Sequence, residues 1–422
     1  MLKIRGSYGG TTNGQGRKTM KAGSYINAFD PDGKSEKLCK NCGLCLHKCP
    51  VMQMGKEEAR EEHLRLRNGE KTERVLKECT FCYDCNQYCP HGLNPLALIM
   101  ERIADNIRAS GKGVPEYLRY LFTGNGETSV FADVYQMLPE SEAAVLDKWV
   151  TPPPKSEEVL FIGCIGREIP YGIEHSSALA SLPKYAPRDA CCGELPFRMG
   201  DFEAFAKTVE YTASLFENLQ TDRLICYCGS CSHTFNNLWR EYLGAKLDFE
   251  VISIWEWLCD KVEKGQLTIK RPIEKTVVLT DSCYSSELGE RFYEAVRSLH
   301  KLVGMEVIEL ENNRDQNLCC GMPSIVRNNF DVTQPAQVAA KKIEQVAQSG
   351  ASDLYCYCPG CFMQLGGGAK NIGVKTHYSL EEILWALGDE YPVALRERSK
   401  VQGKMFMQKL MSVMAGESQD HL

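Results

Sequence analysis

Two five-cysteine sets carry the chemistry of this chain. Each ends in a short run, Cys226-Tyr227-Cys228-Gly229-Ser230-Cys231 in the first and Cys356-Tyr357-Cys358-Pro359-Gly360-Cys361 in the second. Each run follows an adjacent pair, Cys191-Cys192-Gly193 or Cys319-Cys320-Gly321, and ahead of each pair one more cysteine, Cys164 or Cys283, closes an apolar stretch. The spacings are Cys-x26-Cys-Cys-x35-Cys-x2-Cys and Cys-x35-Cys-Cys-x37-Cys-x2-Cys. Packing does not explain five thiols gathered this way twice. In a reducing compartment such thiols stay unpaired and available as metal ligands, so the pattern reads as two metal-cluster sites. A cubane takes four thiolates, so a fifth implies either a spare ligand or a thiolate that bridges irons in a non-cubane cluster.

Eight more cysteines lie in the N-terminal third, in the runs Cys39-x2-Cys42-x2-Cys45-x3-Cys49-Pro50 and Cys79-x2-Cys82-x2-Cys85-x3-Cys89-Pro90. Both match the bacterial ferredoxin run, in which three closely spaced thiolates wrap one cubane and the fourth reaches across to another. The expected ligand sets are Cys39, Cys42, Cys45 and Cys89 for one [4Fe–4S] cluster, and Cys79, Cys82, Cys85 and Cys49 for the other. Zinc ribbons also use paired Cys-x2-Cys, so a zinc-stapled scaffold is the competing reading, and a colourless, zinc-bearing protein would establish it. His47, His63 and His91 read as surface groups or neighbours of ligands. Of the 21 cysteines, Cys226, Cys259 and Cys356 stay outside the patterns.

The elements that must position these thiols follow from periodicity. Residues 1–30, rich in Gly, Ser, Thr and Asn, read as an extended arm. Strong helix formers at Glu57–Arg67 and a helix entered through Pro95 make 31–150 a helical di-cluster domain. Thr151-Pro152-Pro153-Pro154 is a stiff spacer, and beyond it the texture is α/β. Strands are expected at 158–163, 223–227 and 249–254, with helices at 173–182, from Asp201 through Phe216, and at 255–263. The second copy repeats this with strands at 276–281, 305–310, 353–357 and 373–377, and helices at 288–303, 334–348 and 380–387. The cysteine-rich domains then span 157–265 and 275–390. Alternation of this kind implies parallel sheets, whose carboxyl ends gather ligands; the cysteines fall there. The Met-rich tail, 391–422, reads as an amphipathic helix that packs on its own domain or offers an adaptable docking surface.

Composition sets outer bounds. With 422 residues, 43% hydrophobic content and a net charge of −6, the chain is long enough for several packed domains and has no long basic run for nucleic acid. Neither an export signal nor a bilayer-length apolar run is visible, so a cytoplasmic location is expected, with any membrane attachment running through a partner.

The two Cys-Cys-Gly repeats resemble the CCG (cysteine-rich) domains of the catalytic subunit of heterodisulfide reductase. Preceded by two ferredoxin runs on one chain, they resemble its fused D-type subunit. Related iron–sulfur subunits serve glycolate and lactate oxidases, anaerobic glycerol-3-phosphate dehydrogenase, sulfate-reducer membrane redox complexes and class II benzoyl-CoA reductase complexes. The resemblance covers roughly 36–390 and implies an α+β multidomain chain: a helical ferredoxin-like domain, then two α/β CCG domains. It implies non-cubane [4Fe–4S] clusters on Cys164, Cys191, Cys192, Cys228 and Cys231 and on Cys283, Cys319, Cys320, Cys358 and Cys361. In the reductase two such clusters split a substrate disulfide between them, which singles out Cys192 and Cys320 as catalytic. The implied partners are flavoprotein or iron–sulfur electron-donor subunits, since no dinucleotide fingerprint follows a strand. A pure electron-transfer subunit of a flavin-dependent hydroxy-acid oxidase is the alternative. The x26 spacing of the first repeat is shorter than that of the second and alters the loop beside its site. His175, with Glu174, and His233 are candidate proton donors to leaving thiolates or else surface and neighbouring groups; Cys226 and Cys356 read as buried structural thiols or, sharing a strand face with ligands, as neighbours of the clusters, and Cys259 beside Trp255 and Trp257 reads as core.

Overall fold

The computed structural model describes residue 29 and residues 39–122, 129–326, 333–390 and 395–414. The expected arm at 1–30 therefore lies outside the described residues except for Phe29, which is buried and accepts a backbone hydrogen bond from Asn94 (3.1 Å).

Two four-stranded parallel sheets follow a helical N-terminal third. The first holds β1 (Ser156–Phe161), β2 (Lys184–Tyr185), β3 (Thr221–Cys226) and β4 (Glu250–Ser253) in the order β2-β1-β3-β4. The second holds β5 (Lys275–Thr280), β6 (Met305–Ile308), β7 (Asp353–Cys356) and β8 (Lys375–Tyr378) in the order β6-β5-β7-β8. Register matches across the copies: Phe161 pairs with Cys226 and Thr280 with Cys356, the last residues of each central pair.

The period-2 alternation of strands decides what lies on each side of the first sheet. Val159, Phe161, Leu224 and Cys226 face the N-terminal third, in one core with Leu96, Ala97, Ile99 and Trp239. Leu160, Ile162, Ile225 and Tyr227 face the other way, in one core with Val278, Leu354 and Trp255. The first sheet is thus the filling between the N-terminal helices and the second sheet. The Pro-rich spacer does not separate bodies: Trp149, just before it, is buried, donates through its indole N–H to Glu174 (2.9 Å), and accepts at its carbonyl from Ala186 N–H (2.8 Å).

Several elements form for the reasons read from sequence. Asp201 caps the helix Phe202–Phe216 by accepting from Ala204 N–H (2.9 Å), and Asn94 caps Pro95–Ser110 with Pro95 in its first turn. The expected helix at 173–182 does not form. The helix is Pro170–Glu174 only; Ser176 and Ser177 are drawn off by the Asp389 carboxylate, which takes both hydroxyls and the Ser177 N–H, and Pro183 blocks continuation. The short β2 that follows was not expected. Nor was the helix Pro359–Asn371, whose three consecutive glycines, Gly366 to Gly368, argue against a helix on propensity.

In the tail, the helix Leu395–Met414 buries Phe406 against Tyr120, Val130 and Phe131 of the N-terminal third, while Met407 and Met411 stay exposed. Among the described residues no helix is long and apolar enough to cross a membrane.

Candidate metal centres

The two N-terminal runs curl in the same way. Asn41 and Phe81, then Gly43 and Tyr83, occupy matching positions and all have φ between +51° and +71°. Left-handed backbone at a non-glycine residue costs about 1–2 kcal/mol, and here it points successive thiols inward. Cys45 has Cys89, Cys42 and Cys39 as its thiol neighbours; Cys82 has Cys49, Cys79 and Cys85. The runs therefore exchange their fourth cysteine. Cys49, Cys79, Cys82 and Cys85, with Met52, Leu96 and Ile99 among others, line one small cavity of ≈ 20 Å³. Burial pushes the Cys45 and Cys49 thiols up to about 12. Such thiols give up their protons only against a strong local cation, and iron of a cluster would supply one. The donor set, four thiols around one point, is the chemistry a cluster takes. Phe81 N–H donates to Cys79 Sγ (3.4 Å). His63, buried, lies 3.4 Å from Cys39 Sγ and 3.7 Å from Cys45 Sγ, and burial lowers its pKa to about 4. It sits as a neutral neighbour of two of the expected ligands.

In the later repeats each thiol sits at a fixed offset from a strand end. Cys164 and Cys283 come three residues after β1 and β5; Cys228 and Cys358 come two residues after β3 and β7. The backbone of Cys228 (φ −102°, ψ 127°) and of Cys358 (φ −103°, ψ 127°) is the same. The glycine of each Cys-Cys-Gly has a physical reason. Gly193 and Gly321 have φ +87° and +86°, and a Cβ would come 2.9 Å from the Phe205 ring or 2.4 Å from the Pro335 carbonyl oxygen. That turn aims the Gly N–H back at a sulfur, 3.4 Å to Cys191 Sγ and 3.4 Å to Cys319 Sγ.

The thiols contact one another in strings. In the first repeat Cys164 meets Cys191, Cys191 meets Cys192, Cys192 meets Cys231, and Cys231 meets Cys228. In the second, Cys319 meets Cys320, Cys320 meets Cys361, Cys361 meets Cys358, and Cys283 lies in the field of Cys358 and Cys320. The Cys164 thiol pulls Cys191 well below the ordinary thiol range, and Cys319 does the same to Cys320. Among the described residues, no three His, Cys, Asp or Glu side chains converge as ligands of a single ion.

The sites adjoin each other. Cys85 is in the field of Cys45; Cys319 Sγ lies 3.9 Å from the Thr80 carbonyl and in the field of Cys82. Tyr284 packs on the turn between Cys228 and Cys231, where a Cβ on Gly229 would come 2.7 Å from its ring. Tyr284 and Tyr378, both buried, each feel Cys228 and Cys358. Arg198, 4% exposed, joins three parts of the chain: Nη1 donates to Phe81 O (2.8 Å), Nε and Nη2 to Glu194 (2.9 and 2.6 Å), and Nη2 to Cys283 Sγ (3.1 Å).

Comparison with known proteins agrees with this geometry. The family described as a cysteine-rich domain matches residues 175–236 and 277–366, and the 4Fe-4S dicluster domain matches 36–93. The D-type subunit of the dihydromethanophenazine:CoB–CoM heterodisulfide reductase of Methanosarcina barkeri is 24% identical over 72% of this chain and 75% of its own length. The chain thus carries cysteine-rich (CCG) and 4Fe-4S dicluster domain matches and is similar over most of its length to heterodisulfide reductase D-type subunits. It is also similar to one subunit of the fumarate reductase (CoM/CoB) of Methanothermobacter marburgensis, 23% identical over 85% of this chain and 74% of that one. The probable iron-sulfur-binding oxidoreductase FadF of Bacillus subtilis is 23% identical over 74% of this chain, which spans 46% of FadF. The first cysteine-rich match begins after Cys164, so that thiol rests on its offset from β1 and its contact with Cys191.

The remaining candidates divide. Cys226 and Cys356 are fully buried strand ends, held protonated by burial, and Cys259 is buried on the helix Ile254–Glu263. His175 is exposed against Tyr171, and Glu174 is engaged by Trp149. His233 is fully buried against Tyr83, and burial lowers its pKa to about 3, so at neutral pH it has no proton to spare. His47 lies 2.8 Å from the Met54 carbonyl, and His91 is exposed. Sequence reading missed Glu194, Arg198, Tyr284 and Tyr378. For Arg198 a signal existed: Glu194 and Arg198 stand four apart immediately after Cys-Cys-Gly, where the second repeat has Met322 and Val326.

Proposed function

We propose that the chain relays electrons through two cubane [4Fe–4S] clusters to two non-cubane ones, in a heterodisulfide-reductase-like subunit of a larger oxidoreductase. Cys39, Cys42, Cys45 and Cys89 hold the first cubane, and Cys49, Cys79, Cys82 and Cys85 the second. Cys164, Cys191, Cys192, Cys228 and Cys231 hold one CCG centre, and Cys283, Cys319, Cys320, Cys358 and Cys361 the other. Bound clusters supply one-electron carriers at each of these stations. The fields that link Cys45 to Cys85 and Cys82 to Cys319, with Tyr284 packed on the Cys228 turn, support a path from the cubanes to the second CCG site and on to the first. Electrons enter from a flavoprotein or iron–sulfur partner subunit. The substrate is a disulfide, which takes two electrons and two protons to give two thiols.

One observation carries the disulfide reading. The half-buried thiols Cys228 and Cys358, equivalent in the two repeats, share the neighbours Tyr284 and Tyr378. Two thiolate sites so paired suit a substrate with two sulfurs. The test is reduction of candidate disulfides by an artificial donor, using iron- and sulfide-reconstituted protein. Turnover that vanishes in Cys192→Ser and Cys320→Ser supports the reading. A second reading, an electron-transfer subunit without disulfide chemistry, is favoured by the likeness to FadF, whose name specifies an iron–sulfur-binding oxidoreductase and no disulfide. Absence of turnover with every disulfide, in fully loaded protein, would select it.

A further inference from the structure

The two CCG sites share a backbone plan but not an electrostatic one. Cys283 of the second repeat receives a hydrogen bond from the buried guanidinium of Arg198 at 3.1 Å. Cys164, its counterpart in the first repeat, contacts a thiol, Cys191. The arginine beside that site, Arg167, instead gives two of its donors to the carbonyl oxygens of Arg188 and Ala190. Arg198 is furnished by the first repeat, one turn beyond its Cys-Cys-Gly, yet it acts on the second. Its remaining donors fix it: Glu194 holds Nε and Nη2, Phe81 O holds Nη1, and the guanidinium carbon stands 4.8 Å from the centre of the Tyr83 ring. Phe81 and Tyr83 flank Cys82, so the cation sits where the cubane loop meets the second CCG site.

A charged donor on a ligand sulfur stabilises the more negative, reduced state of a cluster; hydrogen bonds to sulfur and local charge are the protein's main levers on potential. Hydrogen bonds in which the donor is ionised are roughly twice as strong as neutral ones. Glu194 offsets part of the cation's field: it shares Nη2 with Cys283, and its negative charge also reaches that thiol. Resting on the ligand assignment proposed above, we infer that Arg198 is a positioning residue that makes the second CCG centre the more easily reduced of the pair, so that an electron leaving the cubanes rests there first.

The experiment is an anaerobic redox titration of the full, reconstituted chain followed by electron paramagnetic resonance, with iron and sulfide counted on the same samples. Two reduction steps are expected from the CCG centres. In Arg198→Gln the upper step falls by about tenfold or more in its reduction equilibrium, about 59 mV for one electron, and the lower step stays; Arg198→Lys recovers part of the shift. With iron content unchanged, an unmoved upper step, or two steps that move together, overturns the inference. Should Arg198→Gln lose iron, Glu194→Gln carries the test, because it keeps the guanidinium and removes its counter-charge. The upper step then rises, and an unmoved step refutes the assignment. Iron for only two clusters in the unaltered chain overturns the underlying ligand reading instead, a different result from full loading with unshifted potentials.

Discussion

Gly321→Ala isolates the physical reason for the glycine in Cys-Cys-Gly. At φ +86° an alanine costs about 1–2 kcal/mol against a glycine, offset by about 0.4–1 kcal/mol from a less flexible unfolded chain. Its Cβ would also come 2.4 Å from the Pro335 carbonyl oxygen, a backbone atom in the chain that enters the helix Thr333–Gln348, so relief requires moving that segment. Forced overpacking of this kind costs about 1–3 kcal/mol. The sum is a loss of about 1–5 kcal/mol, concentrated on the turn that aims Gly321 N–H at Cys319 Sγ. Gly360→Ala in the same site is the control: its φ is ordinary and its Cβ would stand 3.7 Å from Cys358 Sγ, simple van der Waals contact. Thermal unfolding and iron content of anaerobically purified protein separate the two. The expected result is a lower melting temperature and lost iron in Gly321→Ala, with Gly360→Ala near the unaltered chain. Equal behaviour of the two variants would refute the reasoning. Gly193→Ala should fall between them, because its obstacle at 2.9 Å is the Phe205 ring rather than backbone.

Glu168 is fully buried with both carboxylate oxygens lacking a hydrogen-bond partner, and burial lifts its pKa from 4.5 to about 8. Between those values the folded chain holds the extra proton, so stability falls as pH rises; Glu168→Gln should gain roughly 3 kcal/mol at pH 7 and little near pH 4.5, measured by denaturant unfolding. His300 has the opposite sign. It is fully buried, and burial lowers its pKa from 6.5 to about 4, so stability is lost as pH falls below 6.5. The loss is roughly 2 kcal/mol by pH 5, and a parallel pH series on His300→Gln should lack it; an unchanged slope would show that another group titrates. Arg297 clamps buried Asp281 with two hydrogen bonds of 3.1 and 2.9 Å. Arg297→Met strands that carboxylate and should cost about 3–5 kcal/mol, whereas Arg297→Met with Asp281→Asn should recover much of it.

The grouping of the thiols was legible because cysteine spacing is a short-range code. Both N-terminal runs keep three thiols within one loop, with Cys89 among the neighbours of Cys45 and Cys49 among those of Cys82. Strand positions were legible too, since Val159 to Ile162 and Val277 to Leu279 are apolar runs ending at a cysteine. What stayed hidden depends on distant partners. The helix expected at 173–182 ends early because Asp389, more than two hundred residues away, takes Ser176 and Ser177. The helix Pro359–Asn371 survives its glycines because tertiary contacts outweigh propensity; Phe362, Leu365 and Ala369 are buried. Arg198 escaped notice because its meaning lies in reach: one side chain touches Phe81, Glu194 and Cys283, from three separate parts of the chain.

The central claim, four clusters on eighteen patterned thiols, is tested most directly by counting iron, acid-labile sulfide and zinc in protein purified and reconstituted without oxygen. The expected result is about sixteen irons and about sixteen sulfides per chain, four of each per [4Fe–4S] centre, with no zinc. About eight irons would leave the CCG repeats without clusters, and zinc in place of iron would contradict the iron–sulfur assignment altogether.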